Sequence, residues 1–165
     1  MRGMIPYKHM KIATLAIITR DKKVLLGLKQ GNPEIGEGLL NGPGGKLEEG
    51  ETILECLARE VEEEVGVKIN TAKAEKVAVI TFYTGDVPKF EVHTYRADYF
   101  SGEPRTTASM IPGWYDIAEL PVHRMHDSDH MWFPRVIRGE KFNANVYYGD
   151  IAKDFIKIDF LPFTE

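Results

Sequence analysis

Glu60, Glu63 and Glu64 stand three and four residues apart in the segment from Gly45 to Val67. A helix turns about 100° per residue, so Glu63 and Glu64 fall roughly 60° and 40° to either side of Glu60. The three carboxylates then make one narrow acidic stripe. Like charges at these spacings repel by roughly 0.2–0.5 kcal/mol per pair. A hard divalent cation that prefers oxygen ligands, Mg²⁺ or Mn²⁺, relieves that repulsion. The plain alternative is a solvated acidic face, the fate of most glutamate-rich helices.

The elements around the stripe favour the metal. Leu54, Leu57, Val61 and Val65 form an apolar stripe next to it, which places the carboxylates at the edge of the buried face and pointing into a cleft. Thr52 with Glu55 makes a capping box that starts the helix there, and Gly66 supplies a left-handed stop after Val65.

Gly45, Glu51, Arg59, Glu60, Val61, Glu63, Glu64, Gly66 and Val67 fill every fixed position of the Nudix box: Gly, five residues, Glu, seven residues, Arg-Glu-apolar, one residue, Glu-Glu, one residue, Gly-apolar. Nine constrained positions make this far more specific than a lone glycine-rich loop. The chain resembles the Nudix family, and the resemblance implies hydrolysis of a nucleoside diphosphate linked to another group. It implies metal ligation by the Gly45 carbonyl and by Glu60, Glu63 and Glu64. It also implies that Glu51 and Arg59 form a structural ion pair tying loop to helix; a plain surface salt bridge is their alternative. Cations neutralise a polyphosphate, acidify the attacking water and hold it in line. One carboxylate within reach takes the proton, Glu60 first and Glu63 next.

Beyond the box, the resemblance runs from about Lys11 to Gly149 through LLNGPGGKLEEGET, EVHTYRADYFSGEP and IPGWYDIAELPVHRMHDSDHMWFP. It points to the branch that hydrolyses oxidised purine nucleoside triphosphates such as 8-oxo-dGTP to the monophosphate and pyrophosphate. That branch reads the purine edge with an asparagine, here Asn41, and with a carboxylate ahead of Trp-Phe-Pro, here Asp129. The side-chain chemistry suits a base edge, because an amide both donates and accepts and a carboxyl accepts or, protonated, donates. Otherwise Asn41 is a turn residue and Asp129 a helix cap. Lys29 and Lys46 are candidates for the phosphates. Ile35, Tyr83, Phe90, Met110 and Thr14 are candidate pocket walls, although such residues are more often core. Two departures stand out. Close relatives carry adjacent aspartates with a tryptophan shortly before, where this chain has Ser128-Asp129 and His126, a residue able to stack on or bond a base. A further glutamate of the family is replaced by Ser109, which weakens the case for a third cation. Within the family, a dinucleoside polyphosphate or nucleotide sugar is the alternative substrate. Outside enzymes, the alternative is a nucleotide-binding module without catalysis, against which the intact glutamates argue.

The chain has 165 residues, 43% of them hydrophobic, enough for one core and too few to suggest two. The expectation is a flexible tail over residues 1–10 and a single domain over 11–165. With 21 basic and 25 acidic residues and no basic run, a nucleic-acid polymer is disfavoured as partner and a small nucleotide favoured. Cys56 is the only cysteine, which excludes an intrachain disulfide and suits a reducing compartment. His93, His123, His126 and His130 lack zinc-site spacing. The apolar run Ile12 to Ile18 is too short for a membrane span and no cleavage pattern follows, so the expected location is cytoplasmic. The same run reads as a strand buried on both faces, with Val24 to Lys29 as its hairpin partner. A loop from Gln30 to Gly38 is long enough for a lid. Strands are expected at Val77 to Thr84, Phe90 to Phe100, around Trp114, Phe142 to Tyr148 and Phe155 to Phe160, with a second helix over Ser128 to Arg138. The order suits an α/β layered sandwich, and the resemblance implies the Nudix fold, an α/β/α sandwich with a mixed sheet.

Overall fold

The computed structural model describes residues 10–31, 38–149 and 154–165. In chain order the strands are β1 (Lys11–Ile17), β2 (Thr19–Arg20), β3 (Lys23–Lys29), β4 (Leu40–Asn41) and β5 (Gly44–Lys46), followed by helix α1 (Ile53–Val65). Then come β6 (Lys68–Ile69), β7 (Glu75–Thr84), β8 (Val87–Arg96), β9 (Phe100–Ser101) and β10 (Met110–Asp116), helix α2 (Asp129–Ile137), and β11 (Phe142–Tyr148) and β12 (Phe155–Leu161). The expected tail over 1–10 lies, except for Met10, outside the described residues, as does most of the expected lid.

The main sheet runs β12-β11-β7-β8-β1-β5 and is mixed: β1 lies parallel to β8 and β11 parallel to β7, and the other pairs are antiparallel. A smaller sheet, β10-β3-β2 with β4 beside β3, packs next to it, and β6 pairs with β9. The hairpin from β2 to β3 closes on Asp21 and Lys22, both at positive φ, a turn whose twist matches the strands it joins.

Strand β1 is the partition of the molecule. Leu15 and Ile17 enter one core with Val77, Ala78, Ile80, Trp132, Phe133, Val136, Val146 and Tyr148, beneath α2. Ala16 and the neighbouring Ile18 enter the other with Leu57, Val61, Val65 and Met110, beneath α1. A strand covered on both faces needs an unbroken apolar run, which is what residues 12–18 supply. Helix α1 begins and ends where its signals require: the Thr52 hydroxyl accepts from Glu55 N–H, the Glu55 side chain accepts from Thr52 N–H, and Gly66 takes φ 78°.

Strand β8 stops at Arg96, short of the expected Phe100. The Ala97 N–H still donates to Ile17 O, but Asp98 then turns back to accept from the Thr19 backbone and hydroxyl and from Arg96. This frees Phe100–Ser101 to pair with β6. Strands β4 and β5 are too short for any periodicity to reveal. Among the described residues no helix is long and apolar enough to cross a membrane.

The approach of β5 to β1 leaves no room at Gly44, where an added Cβ would collide with the Thr14 carbonyl in the backbone. Gly44→Ala is expected to lose about 1–3 kcal/mol of stability. Urea unfolding checks this, and an unchanged midpoint contradicts the close packing of the two strands.

Candidate active site

The glycine loop reaches α1 because β5 is pinned to β1. Gly45 pairs with Thr14 and Gly44 with Leu15, and Ala16 N–H donates to Pro43 O at 2.8 Å. Helix α1 lies over this strand pair and lays its acidic stripe against the loop. The three glutamates are graded by depth. The Glu64 side chain is 5% exposed, Glu60 16% and Glu63 60%.

Each carboxylate meets a positive partner. Glu64 accepts the Gly44 N–H on Oε1 at 2.9 Å and pairs through Oε2 with Lys29 Nζ at 2.8 Å. Glu60 lies against Gly45, where the head of its side chain fills the space an added Cβ would need. Its Oε1 accepts from Arg59 Nη1 at 2.7 Å, and the same nitrogen reaches Glu63 at 3.2 Å. Arg59 Nε and Nη2 clamp Glu51 at 2.7 and 2.9 Å, while Nη2 also donates to Lys46 O at 3.1 Å. This guanidinium therefore joins the loop, Glu51 and the helix. Its hydrogen bonds hold the Glu51 carboxyl down at about 2, and Glu51 in turn raises Arg59 above its ordinary value.

Burial, followed by the charges of Glu64 and Glu63, pushes the Glu60 carboxyl up, and Arg59 opposes the rise. The donors gathered here are carboxylates with a backbone carbonyl at Gly45, hard oxygen ligands of the kind a hard cation takes. The nearby Cys56 thiol donates to Gly45 O at 3.6 Å, and burial pushes its pKa up, which disfavours the thiolate a soft metal would take. The donor set thus fits a divalent cation of the magnesium class. Among the described residues, however, no three acidic, histidine or cysteine side chains converge into a ready-made cluster. The carboxylates of the stripe are instead paired with cations, Glu60 and Glu63 with Arg59 and Glu64 with Lys29.

A second group of residues lies across β1, beneath α2. Asp129, 3% exposed, opens α2, and its Oδ2 is buried without a hydrogen-bond partner. Burial pushes its carboxyl up to about 7. The Trp132 indole is close enough to favour the ionised form, yet its N–H closes no hydrogen bond. Ser128 precedes the helix without capping it, because its Oγ instead meets Tyr148 Oη at 3.1 Å. His126 is half-buried, and burial holds it toward the neutral form against the pull of Asp127.

The other candidates scatter. Asn41 ends β4 beside Gly27, with its Oδ1 accepting from Gly42 N–H at 2.9 Å, a turn contact. Thr14 faces α1, bonded to Gly45 O at 3.4 Å and in contact with Cys56 Sγ, so it supports the glycine loop and is no wall of the Asp129 side. Met110 is fully buried against Gly27 in the α1-side core. Tyr83 stacks on Tyr147 at 4.8 Å, and Tyr147 alternates with the inward Val146 and Tyr148, so both tyrosines lie on the sheet face away from Asp129. Phe90 is half-buried opposite Phe82. Lys46 is exposed on β5, and Ile35 lies outside the described residues. Sequence reasoning passed over Phe82 and Tyr148, which face the α2-side core. For Tyr148 the signal was the alternation Phe142, Ala144, Val146, Tyr148 along β11.

Comparison with known proteins gives consistent matches. The NUDIX domain model matches residues 9–136. The oxidized purine nucleoside triphosphate hydrolase of Danio rerio is 37% identical over 133 residues, covering 80% of this chain and 83% of that protein. Its namesake from Mus musculus is 33% identical over 141 residues, covering 85% and 88%. The crystal structure of a mutator MutT protein from Bacillus halodurans superposes with a TM-score of 0.77 at 23% identity, over 91% of this chain and 97% of that one, a likeness of fold.

Asp129 sets a pH dependence of stability. Its folded pKa of about 7 lies above the ordinary 3.8. Between those values the unfolded chain releases a proton that the folded chain keeps, so stability falls as pH rises through the window and levels off above about pH 7. Asp129→Asn lacks this proton. Its unfolding free energy relative to wild type is expected to improve steadily from pH 4 to pH 7, measured by urea titration; a constant difference contradicts the buried carboxyl.

Proposed function

The chain belongs to the NUDIX family, and from that membership we propose a divalent-metal-dependent pyrophosphohydrolase of oxidised purine nucleoside triphosphates, 8-oxo-dGTP among them, releasing the monophosphate and pyrophosphate. The observation that carries the reaction is the acidic face of α1 set against Gly44 and Gly45, with Glu64 buried and Glu60 packed on the glycine. The likeness to the two oxidized purine nucleoside triphosphate hydrolases supports the substrate class. The reading takes Mg²⁺ as the cation, residues 11–165 as one working domain and the cytoplasm as its location.

Gly45 O, Glu60, Glu63 and Glu64 would hold the metal. A divalent cation there neutralises the phosphate chain and acidifies the attacking water. Glu60 is the group best placed to take the water's proton: burial and its acidic neighbours raise its basicity, while Arg59 holds its orientation. Arg59 and Glu51 keep loop and helix in register during turnover. On the other side of β1, the buried, unsatisfied carboxyl oxygen of Asp129 is the group that would read a purine edge once the base opens a way to it. His126 and Ser128 stand where close relatives have a tryptophan and a second acid, which favours looser recognition of the base.

Glu64→Gln is expected to cut turnover about a hundredfold or more and weaken metal binding. Near-normal Mg²⁺-dependent activity in that variant rules out the metal assignment. A chelator should abolish activity and added Mg²⁺ restore it. A nucleotide panel read by pyrophosphate release should show faster turnover of oxidised than of unmodified purine triphosphates, and equal rates would sink the substrate reading. Asn41→Ala should change that ratio and spare metal binding; if it alters stability alone, Asn41 is only a turn residue.

A further inference from the structure

Lys29 is the last residue of β3, its side chain 15% exposed, and its Nζ stands 2.8 Å from Glu64 Oε2. The Gly44 N–H holds the other Glu64 oxygen at 2.9 Å, so both oxygens of the deepest carboxylate are engaged. An ammonium and a divalent cation sharing one carboxylate repel each other, and low-dielectric surroundings make that repulsion strong. The other cation of the site is less able to yield, because Arg59 is clamped bidentately by Glu51 and also bonded to Lys46 O. Lys29 differs in chemistry: a compact charge on a four-carbon stem can swing to a new partner without breaking a planar fork. Its position faces both halves of the site. Beyond the larger effects of burial and of Asp127, its charge is felt at His126, toward the Asp129 side.

We propose that Lys29 is a positioning residue that exchanges partners, pairing with Glu64 until a divalent cation claims that carboxylate and then turning its ammonium to the phosphate oxygens of the nucleotide. The inference rests on reading Glu64 as a metal ligand. It gives Lys29 two opposed effects, since the same charge that weakens binding of the metal alone strengthens binding of the nucleotide. Metal and nucleotide then assist each other, because each favours the swung lysine.

Calorimetric titration of the full chain with Mn²⁺, without nucleotide, tests the exchange. Lys29→Gln keeps a hydrogen-bonding group beside Glu64 and removes the charge. It is expected to bind Mn²⁺ about tenfold more tightly than wild type, with KM for the triphosphate raised and kcat changed less. Lys29→Arg should return metal affinity toward wild type. A folded Lys29→Gln protein that binds Mn²⁺ with unchanged or weaker affinity overturns the proposal. Nitrogen-15 NMR of the wild-type lysine ammonium groups needs no variant: the Lys29 signal should shift and lose its protection from exchange on Mg²⁺ addition, and an unmoved signal overturns the proposal. Wild-type protein that binds no Mn²⁺ overturns the metal-site reading itself, and this inference with it.

Discussion

Negative charge taken out of water has to be matched by positive charge or by N–H groups, and that requirement organises this molecule. Of the three glutamates on one helix face, Glu60 and Glu64 can pack against the sheet only if each finds a partner, while Glu63 stays largely in water. Glu64 goes deepest and has two, the Lys29 ammonium and the Gly44 amide. Glu60 and Glu63 share the Arg59 guanidinium, which is anchored on Glu51. The glycines follow from the same demand. Gly44 must come close enough to β1 and α1 to offer its N–H, and Gly45 must leave space for a carboxylate. The cost of gathering these charges is the reactivity of the site, because carboxylates that repel one another attract a divalent cation.

Strand β1 divides the work. The α1 side holds charge, with carboxylates, a guanidinium and an ammonium paired to one another. The α2 side is mostly apolar, and the buried polar atoms without partners there include the Asp129 carboxyl oxygen, the Trp132 indole N–H and the Thr94 hydroxyl. Such groups cost stability unless something else repays them, and a purine edge carries the complementary donors and acceptors. Lys29 connects the two sides, one residue with its charge felt at both Glu64 and His126.

What could be read from sequence followed from how local its cause was. Helix α1 was legible to the residue, because Thr52, Glu55 and Gly66 fix its ends through contacts within a few residues. The Glu51 and Arg59 contact was expected only because the resemblance to the Nudix box implies it, and the two side chains do meet. The depth of each glutamate was not legible, because it depends on β5 lying against β1, a pairing between segments thirty-one residues apart at Thr14 and Gly45. Pocket walls were harder still. Tyr83 faces away from Asp129 because strand side chains alternate: Ile80 and Phe82 point into the α2-side core, and Tyr83 takes the opposite face with its register partner Tyr147. Met110 fills the space left by Gly27, a fit between two strands that neither segment announces alone. Strand β8 ended early because Asp98 found partners on Thr19, seventy-nine residues away.

On this reading a divalent cation is held between the acidic face of α1 and the glycine loop. Anomalous diffraction from a crystal soaked in Mn²⁺ tests it directly. The account predicts a manganese peak between the Gly45 carbonyl and the carboxylates of Glu60 and Glu64, with Lys29 turned away from Glu64. A peak elsewhere with this face unchanged, or no peak at a saturating concentration, would contradict it.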